Sequence, residues 1–207
     1  MKLGKVYSRA IPPLAKLPFQ NPTPIAMKIP PLLPLLVVFA TLPVAVSAET
    51  LNVDKQRSRI QVDAQATGHA FTGTLGDYQA TVKGDVSGLR PTAVKLTWKF
   101  ADLKTGDEKR DAEMIKWLGG GGPEGSFEFT KTWDDKGERY AQGKLTIHGV
   151  SKTISFPYTV KKEGTWITID GKAPLNYQDY SLPLIRKAVM KVQPELSVRI
   201  HLVGKVN

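Results

Sequence analysis

Ala141-Gln142-Gly143-Lys144-Leu145-Thr146-Ile147-His148-Gly149-Val150-Ser151-Lys152-Thr153-Ile154-Ser155-Phe156-Pro157-Tyr158-Thr159-Val160 is the stretch that decides the fold class. Small or apolar residues at Ala141, Gly143, Leu145 and Ile147 alternate with polar ones, and after His148-Gly149 the period of two returns at Ile154, Phe156, Tyr158 and Val160. Successive side chains of a strand point to opposite faces, so each half reads as a strand with one buried side and His148-Gly149 as the turn between them. Outward from this hairpin the same stripe recurs at Ile60, Val62, Ala64 and Ala66, at Tyr78, Ala80 and Val82, at Val94, Leu96, Trp98 and Phe100, and at Leu196, Val198, Ile200 and Leu202. Gly84-Asp85, Gly88, Asp134-Asp135-Lys136-Gly137 and Glu163-Gly164 punctuate the stripes as turns.

One segment departs from this rhythm. Asp107 is a helix cap by type, Ala112, Ile115 and Leu118 recur at a spacing of three, and Gly119 to Gly122 with Pro123 stop the pattern, which predicts a short helix near 107–118. The expectation is an all-β domain of about eight antiparallel strands with one short helix. A two-sheet sandwich and a closed barrel both satisfy it. In a barrel, about eight strands leave an interior just wide enough for packed side chains or one slender ligand.

The first 48 residues read differently. They hold Lys2, Lys5, Arg9, Lys16 and Lys28, no acidic residue, and an apolar run from Leu32 to Val46. A secretory signal needs a basic start, an apolar stretch of roughly 7 to 15 residues and small residues at the cut. Met27-Lys28, the apolar run and Val46-Ser47-Ala48 supply these, so cleavage is expected after Ala48. An uncleaved anchor fits less well, because the run falls short of the ~20 residues that span a bilayer and Pro34 and Pro43 break it. Met27 is a second plausible start for this leader. Export leaves one domain, 49–207, and a periplasmic location is expected.

Loss of the leader changes the charge argument. The whole chain carries 29 Lys and Arg against 19 Asp and Glu, a formal +10; without the five leader cations the excess is near +5. Most of the apparent nucleic-acid signal goes with them. There is no cysteine, so disulfides, thiolate metal sites and a cysteine nucleophile are excluded and the domain relies on its core. About 159 residues bury roughly 68 to 70% of their unfolded surface, which suffices.

Several stretches are more specific than alternation. Gly143-Lys144-Leu145-Thr146-Ile147-His148-Gly149-Val150-Ser151-Lys152-Thr153-Ile154 resembles the signature hairpin of the YceI-like family of periplasmic polyisoprenoid-binding proteins. Asp102-Leu103-Lys104-Thr105, Lys109-Arg110-Asp111 and Met114 to Leu118 are similar to the family's threonine, Arg-Asp and short-helix segment, and Val53-Asp54, Arg57 to Ile60, Phe71-Thr72-Gly73 and Tyr78 to its opening strands. The similarity runs from about Leu51 to Val203. It departs at Ala66, where the family has a histidine, at Leu51 for its initial tryptophan, and at Gly119 to Gly125 around Pro123 for an aromatic-proline lead-in. The resemblance implies an eight-stranded antiparallel, lipocalin-like barrel that binds a polyisoprenoid, such as a quinone tail or prenyl chain, in an apolar interior. It implies a binding protein and not an enzyme, with no cofactor.

Elementary energetics is compatible with that expectation. Burying a methylene is worth about 0.8 kcal/mol, so about ten contribute roughly 8 kcal/mol before immobilisation is subtracted, against the roughly 8.2 kcal/mol of micromolar binding. A longer tail therefore binds usefully without a charged clamp. The candidate ligand-contacting residues are Val62, Phe71, Tyr78, Leu96, Trp98, Phe100, Trp117, Phe127, Phe129, Leu145, Ile147, Phe156, Tyr158, Tyr177 and Ile200, with the flat rings best suited to shape a narrow cavity. Arg110, Asp111, Trp117 and Tyr177 are candidates for a head group; for Arg110 and Asp111 a structural pair tying the helix to the barrel is the favoured reading.

Other signals carry no chemistry. His69, His148 and His201 are far apart and lack metal-ligand spacing, and no serine sits in Gly-x-Ser-x-Gly. Gly119 to Gly122 trails a helix and lacks a following Gly-Lys-Ser/Thr, and Asp134-Asp135 lies in a turn. Arg186, Lys187 and Lys191 near Leu182, Leu184, Ile185, Val189 and Met190 are candidates for transient contact with anionic lipid. Two alternatives remain beside the carrier: an enzyme acting on a lipid or quinone in the same cavity, suggested by Arg110-Asp111 and Tyr177, and a solid-cored module engaging a protein partner.

Overall fold

The computed structural model describes residues 48–187 and 189–206. The expected leader, with its second start at Met27 and its cut after Ala48, lies outside the described residues but for Ala48 itself. The elements follow the alternation. In chain order they are β1 (Glu49–Val53), β2 (Arg59–Ala66), β3 (His69–Leu75), β4 (Gln79–Asp85), β5 (Arg90–Lys99), β6 (Leu103–Lys104), α1 (Glu108–Trp117), β7 (Glu124–Asp135), β8 (Glu138–Ile147), β9 (Val150–Glu163), β10 (Trp166–Asn176), β11 (Arg186–Lys187), β12 (Met190–Lys191) and β13 (Glu195–Val206).

The sheet runs β1-β4-β5-β7-β8-β9-β10-β13, every pair antiparallel, and closes because β13 also pairs with β1 through Leu51↔Val206 to Val53↔Gly204. This is an eight-stranded closed barrel with one short helix. Closure removes the exposed edges that a sandwich would leave, and it decides between the two architectures that alternation leaves open. Along the rest of β13, β2 takes the place of β1 through Ser197↔Asp63 to His201↔Arg59, and β3 pairs β2 and then the short β6.

Three neighbouring strands are thus each broken once: β1 from β2 at Asp54–Ser58, β3 from β4 at Gly76–Tyr78, and β5 from β6 at a 3-10 turn, Phe100–Asp102. Ser58, buried at the first break, donates to the Asp54 carbonyl at 2.7 Å and accepts from the Val203 amide at 3.0 Å, so the break is knitted to β13. Phe100 belongs to the 3-10 turn and not to the strand that its stripe predicts.

The tight hairpins β7–β8 and β8–β9 turn on Lys136-Gly137 and His148-Gly149, both residues of each pair having positive φ, the conformation whose twist matches the flanking strands. In β7 a bulge between Phe129 and Lys131 shifts the register by one residue. Phe127 and Phe129 therefore face inward, whereas Trp133 lies opposite Tyr140, its ring stacked there at 5.5 Å. Strict alternation would have placed Trp133 inside.

α1 starts where its cap predicts. The Asp107 carboxylate accepts from the amides of Lys109 and Arg110 at 3.0 and 3.1 Å, and Leu118 follows its last turn. β10, by contrast, is not foreshadowed by a clear stripe, since its inward positions include Gly171 and Ala173 and it carries Pro174. It pairs β9 only from Trp166↔Glu163 to Gly171↔Tyr158, whereas it pairs β13 along its whole length. Continuing the register would place Lys172 opposite Pro157 and Pro174 opposite Ser155; proline has no N–H to donate, and there the two strands part.

Candidate ligand-binding cavity

The inward stripes converge on a hollow. A cavity of about 1040 Å³ occupies the interior, at the upper end of the roughly 300 to 1,000 Å³ typical of ligand pockets. Fourteen of the fifteen candidate contact residues line it: Val62, Phe71, Leu96, Trp98, Phe100, Trp117, Phe127, Phe129, Leu145, Ile147, Phe156, Tyr158, Tyr177 and Ile200. Tyr78 does not. It is buried in the packed core at the strand break before β4, with the Lys55 ammonium 5.4 Å from the centre of its ring.

Two glycines make room for the rings. A side chain at Gly125 would collide with Trp98, its cross-strand partner, and one at Gly143 would collide with Phe127 and the backbone of Glu128. Trp98 also meets Phe100 edge-on at 6.0 Å, and Phe127 meets Phe156 at 6.0 Å. The aromatic wall is therefore built as a set, each ring positioned by a missing side chain or another ring.

The charged and strongly polar side chains of the wall sit at one end, and all but the half-buried Arg110 are exposed. Asp107, Lys109, Glu113 and Lys116 of the α1 segment, His69 of the β2–β3 hairpin and Arg186 of β11 all line the cavity and all face water, which marks this end as the mouth. Deeper in, the wall is apolar but for the hydroxyls of Tyr158 and Tyr177. Tyr158 is 2.8 Å from the Thr132 hydroxyl, which donates to the Tyr140 carbonyl.

Arg110 and Asp111 do not pair with each other. Both close on Thr105: Arg110 donates to its hydroxyl at 2.8 Å and its carbonyl at 2.9 Å, and Asp111 accepts from its hydroxyl at 2.6 Å and its amide at 3.1 Å. The Arg110 guanidinium also lies 4.4 Å over the ring of Phe71, a contact between helix and barrel. Tyr177 donates to the Val192 carbonyl at 3.0 Å and accepts from the Ile185 amide at 3.2 Å, and burial raises its phenol above the ordinary value. Trp117 meets the Tyr177 ring edge-on at 5.1 Å and donates its indole N–H to the Pro183 carbonyl at 2.9 Å.

These bonds fold the segment after β10 across the mouth. Leu182, Leu184, Ile185 and Val192 turn into the cavity wall, although in sequence their segment reads as a membrane-facing one. Ile169, Ala173 and Leu175 of β10 are further wall residues missed for want of a clear stripe. Met114, on α1 three residues before Trp117, also lines the wall. His201 meets Asp170 across the outer face at 2.6 Å, away from the cavity.

Comparison with known proteins settles the family. A family model described as YceI-like domain matches residues 51–204. The chain belongs to the YceI-like family. Among solved structures, this YceI-like barrel is similar to Burkholderia cenocepacia BcnA at 22% identity and a TM-score of 0.63, over 74% of this chain and all of that one. It is also similar to the Campylobacter jejuni YCEI protein at 18% identity and a TM-score of 0.54, over 64% of this chain and 83% of that one. At these identities the likeness is one of fold. No curated protein matches the chain. Among the described residues of the YceI-like domain, no helix is long and apolar enough to cross a membrane.

Proposed function

We propose that the protein is a periplasmic binding protein that holds a polyisoprenoid or isoprenoid-quinone-like lipid in the barrel, for transport, storage or sensing. The observation that carries this reading is the cavity: about 1040 Å³, apolar in depth and charged only at its mouth. At about 30 Å³ for each water-sized group, it takes on the order of thirty heavy atoms of an extended tail. Membership of the YceI-like family supports the same class of ligand. The basic leader and the small residues before Glu49 support export.

The tail supplies most of the affinity and little discrimination, since one methylene changes binding by only ~1 to 3 kcal/mol even in a fitted pocket. Selectivity belongs to the rim, where a head group meets the exposed charges of α1 and Arg186.

Neither alternative draws support from the side chains first suspected. A solid interior is incompatible with the hollow. Asp111 and Tyr177, the residues an enzyme would use, already hold Thr105 and the segment across the mouth, so their hydrogen-bonding capacity serves architecture.

Native mass spectrometry of protein extracted gently from its own membranes tests the proposal. A bound species with the mass of an isoprenoid lipid is the expected result. A uniformly unliganded protein would overturn it.

A further inference from the structure

Among the described residues, Val189 is the large apolar side chain left in water, 90% exposed at the tip of the β11–β12 hairpin. Single exposed apolar residues are ordinary on protein surfaces. This one differs in how it is held and in what surrounds it.

The hairpin is fastened at its base. The Lys191 amide donates to the Thr67 hydroxyl at 3.1 Å, the Thr67 amide donates to the Lys191 carbonyl at 2.9 Å, and the Val192 amide donates to the Ile185 carbonyl at 3.1 Å. Tyr177 binds both flanks from below through Ile185 and Val192. A tip on so firm a base projects by construction. Arg186 and Lys191 face each other across the hairpin beneath it, and Arg186 also lines the mouth. Lys109 and Lys116, exposed on α1, line the same mouth. Asp107 and Glu113 are the acidic residues of that rim, and the Asp107 carboxylate is engaged in capping α1. The rim is therefore basic on balance, with one apolar point standing beyond it.

We propose that the β11–β12 tip docks on an anionic phospholipid bilayer, with Val189 at the acyl boundary, Arg186 and Lys191 against the phosphates, and the mouth turned toward the membrane. Charge complementarity selects the occupant: a basic rim attracts an anionic surface, with each cation raising partitioning about fivefold, and an apolar tip gains only where it leaves water. The docking is independent of what the cavity holds.

Co-sedimentation of the purified full chain with phosphatidylglycerol–phosphatidylethanolamine vesicles, against vesicles of phosphatidylcholine alone, tests it. Binding should favour the anionic vesicles and weaken with salt. Val189→Asp should lower partitioning about tenfold, and Arg186→Gln and Lys191→Gln about fivefold each. On vesicles with brominated acyl chains, a Val189→Trp chain should show quenching beyond that of the wild type. Equal binding to both vesicles, an unaffected Val189→Asp, or no added quenching in the Val189→Trp chain would each overturn the docking, as would a change in oligomeric state in Val189→Asp, which would make the tip a protein contact. The lipid recovered with Val189→Asp by native mass spectrometry should match the wild type, which keeps failure of the docking distinct from failure of the cargo reading.

Discussion

Two buried tyrosines a few residues apart have opposite relations to their hydroxyls. Tyr177 donates and accepts one hydrogen bond each, and its loss should loosen the segment across the mouth. Tyr180 is 1% exposed and its hydroxyl has no partner among the described residues. Burying an unbonded hydroxyl costs roughly 1 to 3 kcal/mol. Tyr180→Phe should therefore be neutral or raise thermal stability, whereas Tyr177→Phe should lower it by about 1 to 3 kcal/mol, both read by chemical denaturation.

Burial pushes the Tyr180 phenol up to about 12. An unfolded tyrosine ionises near 10, so the folded protein keeps this proton more tightly than the unfolded chain does. Its contribution is complete below about pH 10 and drains away between about 10 and 12. The wild type should lose stability across that window faster than Tyr180→Phe.

Gly125 makes a third residue-level case. A methyl there meets the Trp98 ring, which must swing into the cavity, so Gly125→Ala should cost about 1 to 3 kcal/mol by overpacking and shorten the tail that the barrel retains. Denaturation and the mass of the co-purified lipid read the two effects separately.

At the level of elements, α1 was legible because its signals are local: an acceptor at Asp107, spaced apolar residues, then glycines. The same cap gives it an acid sensitivity. The amide of Arg110, donating to the Asp107 carboxylate, holds that group below the usual range. A carboxylate depressed in the fold contributes fully above its ordinary value near 4 and is lost as pH falls through the lower folded value. The amides of Lys109 and Arg110 should exchange faster in that acid window, and Asp107→Asn, whose side chain caps without ionising, should remove the pH dependence.

What stayed hidden depends on partners far along the chain. The bulge that turns Trp133 outward is a matter of how β7 meets β8, and no feature within β7 announces it. β10 presents Gly171 inward where a side chain would crowd the ring of Phe156, and Ala173 beyond it is too small to mark a stripe, so the strand went unannounced. The break between β1 and β2 is visible only once both lie against the one continuous strand β13, and that between β3 and β4 only once they pair β6 and β5 in turn.

Over the whole molecule, alternation yields a closed sheet but cannot say how full it is, because a packed core and a lined hollow demand the same stripes. The family resemblance supplied the hollow, and the cavity bears it out. At the rim, Trp117 and Tyr177 were named from the sequence, but how they assemble with Thr105 and the segment after β10 lay beyond reach of pattern, because these come from distant parts of the chain. The hollow also permits a test at this scale. Ala173, buried and on the wall, can be enlarged toward empty space. Ala173→Trp should leave the barrel folded, as far-ultraviolet circular dichroism reports, yet should abolish recovery of a long-tailed lipid.

Where β9 and β10 part, Pro157 and Pro174 leave the ring of hydrogen bonds incomplete on the mouth side. A barrel hooped by hydrogen bonds all the way round has a fixed girth, whereas one with an unlaced seam can widen there without breaking a bond. The opening is then not held to the girth of the laced part of the barrel, for beside β9 its wall is closed by the turn Tyr177–Tyr180, by packing and not by a ladder.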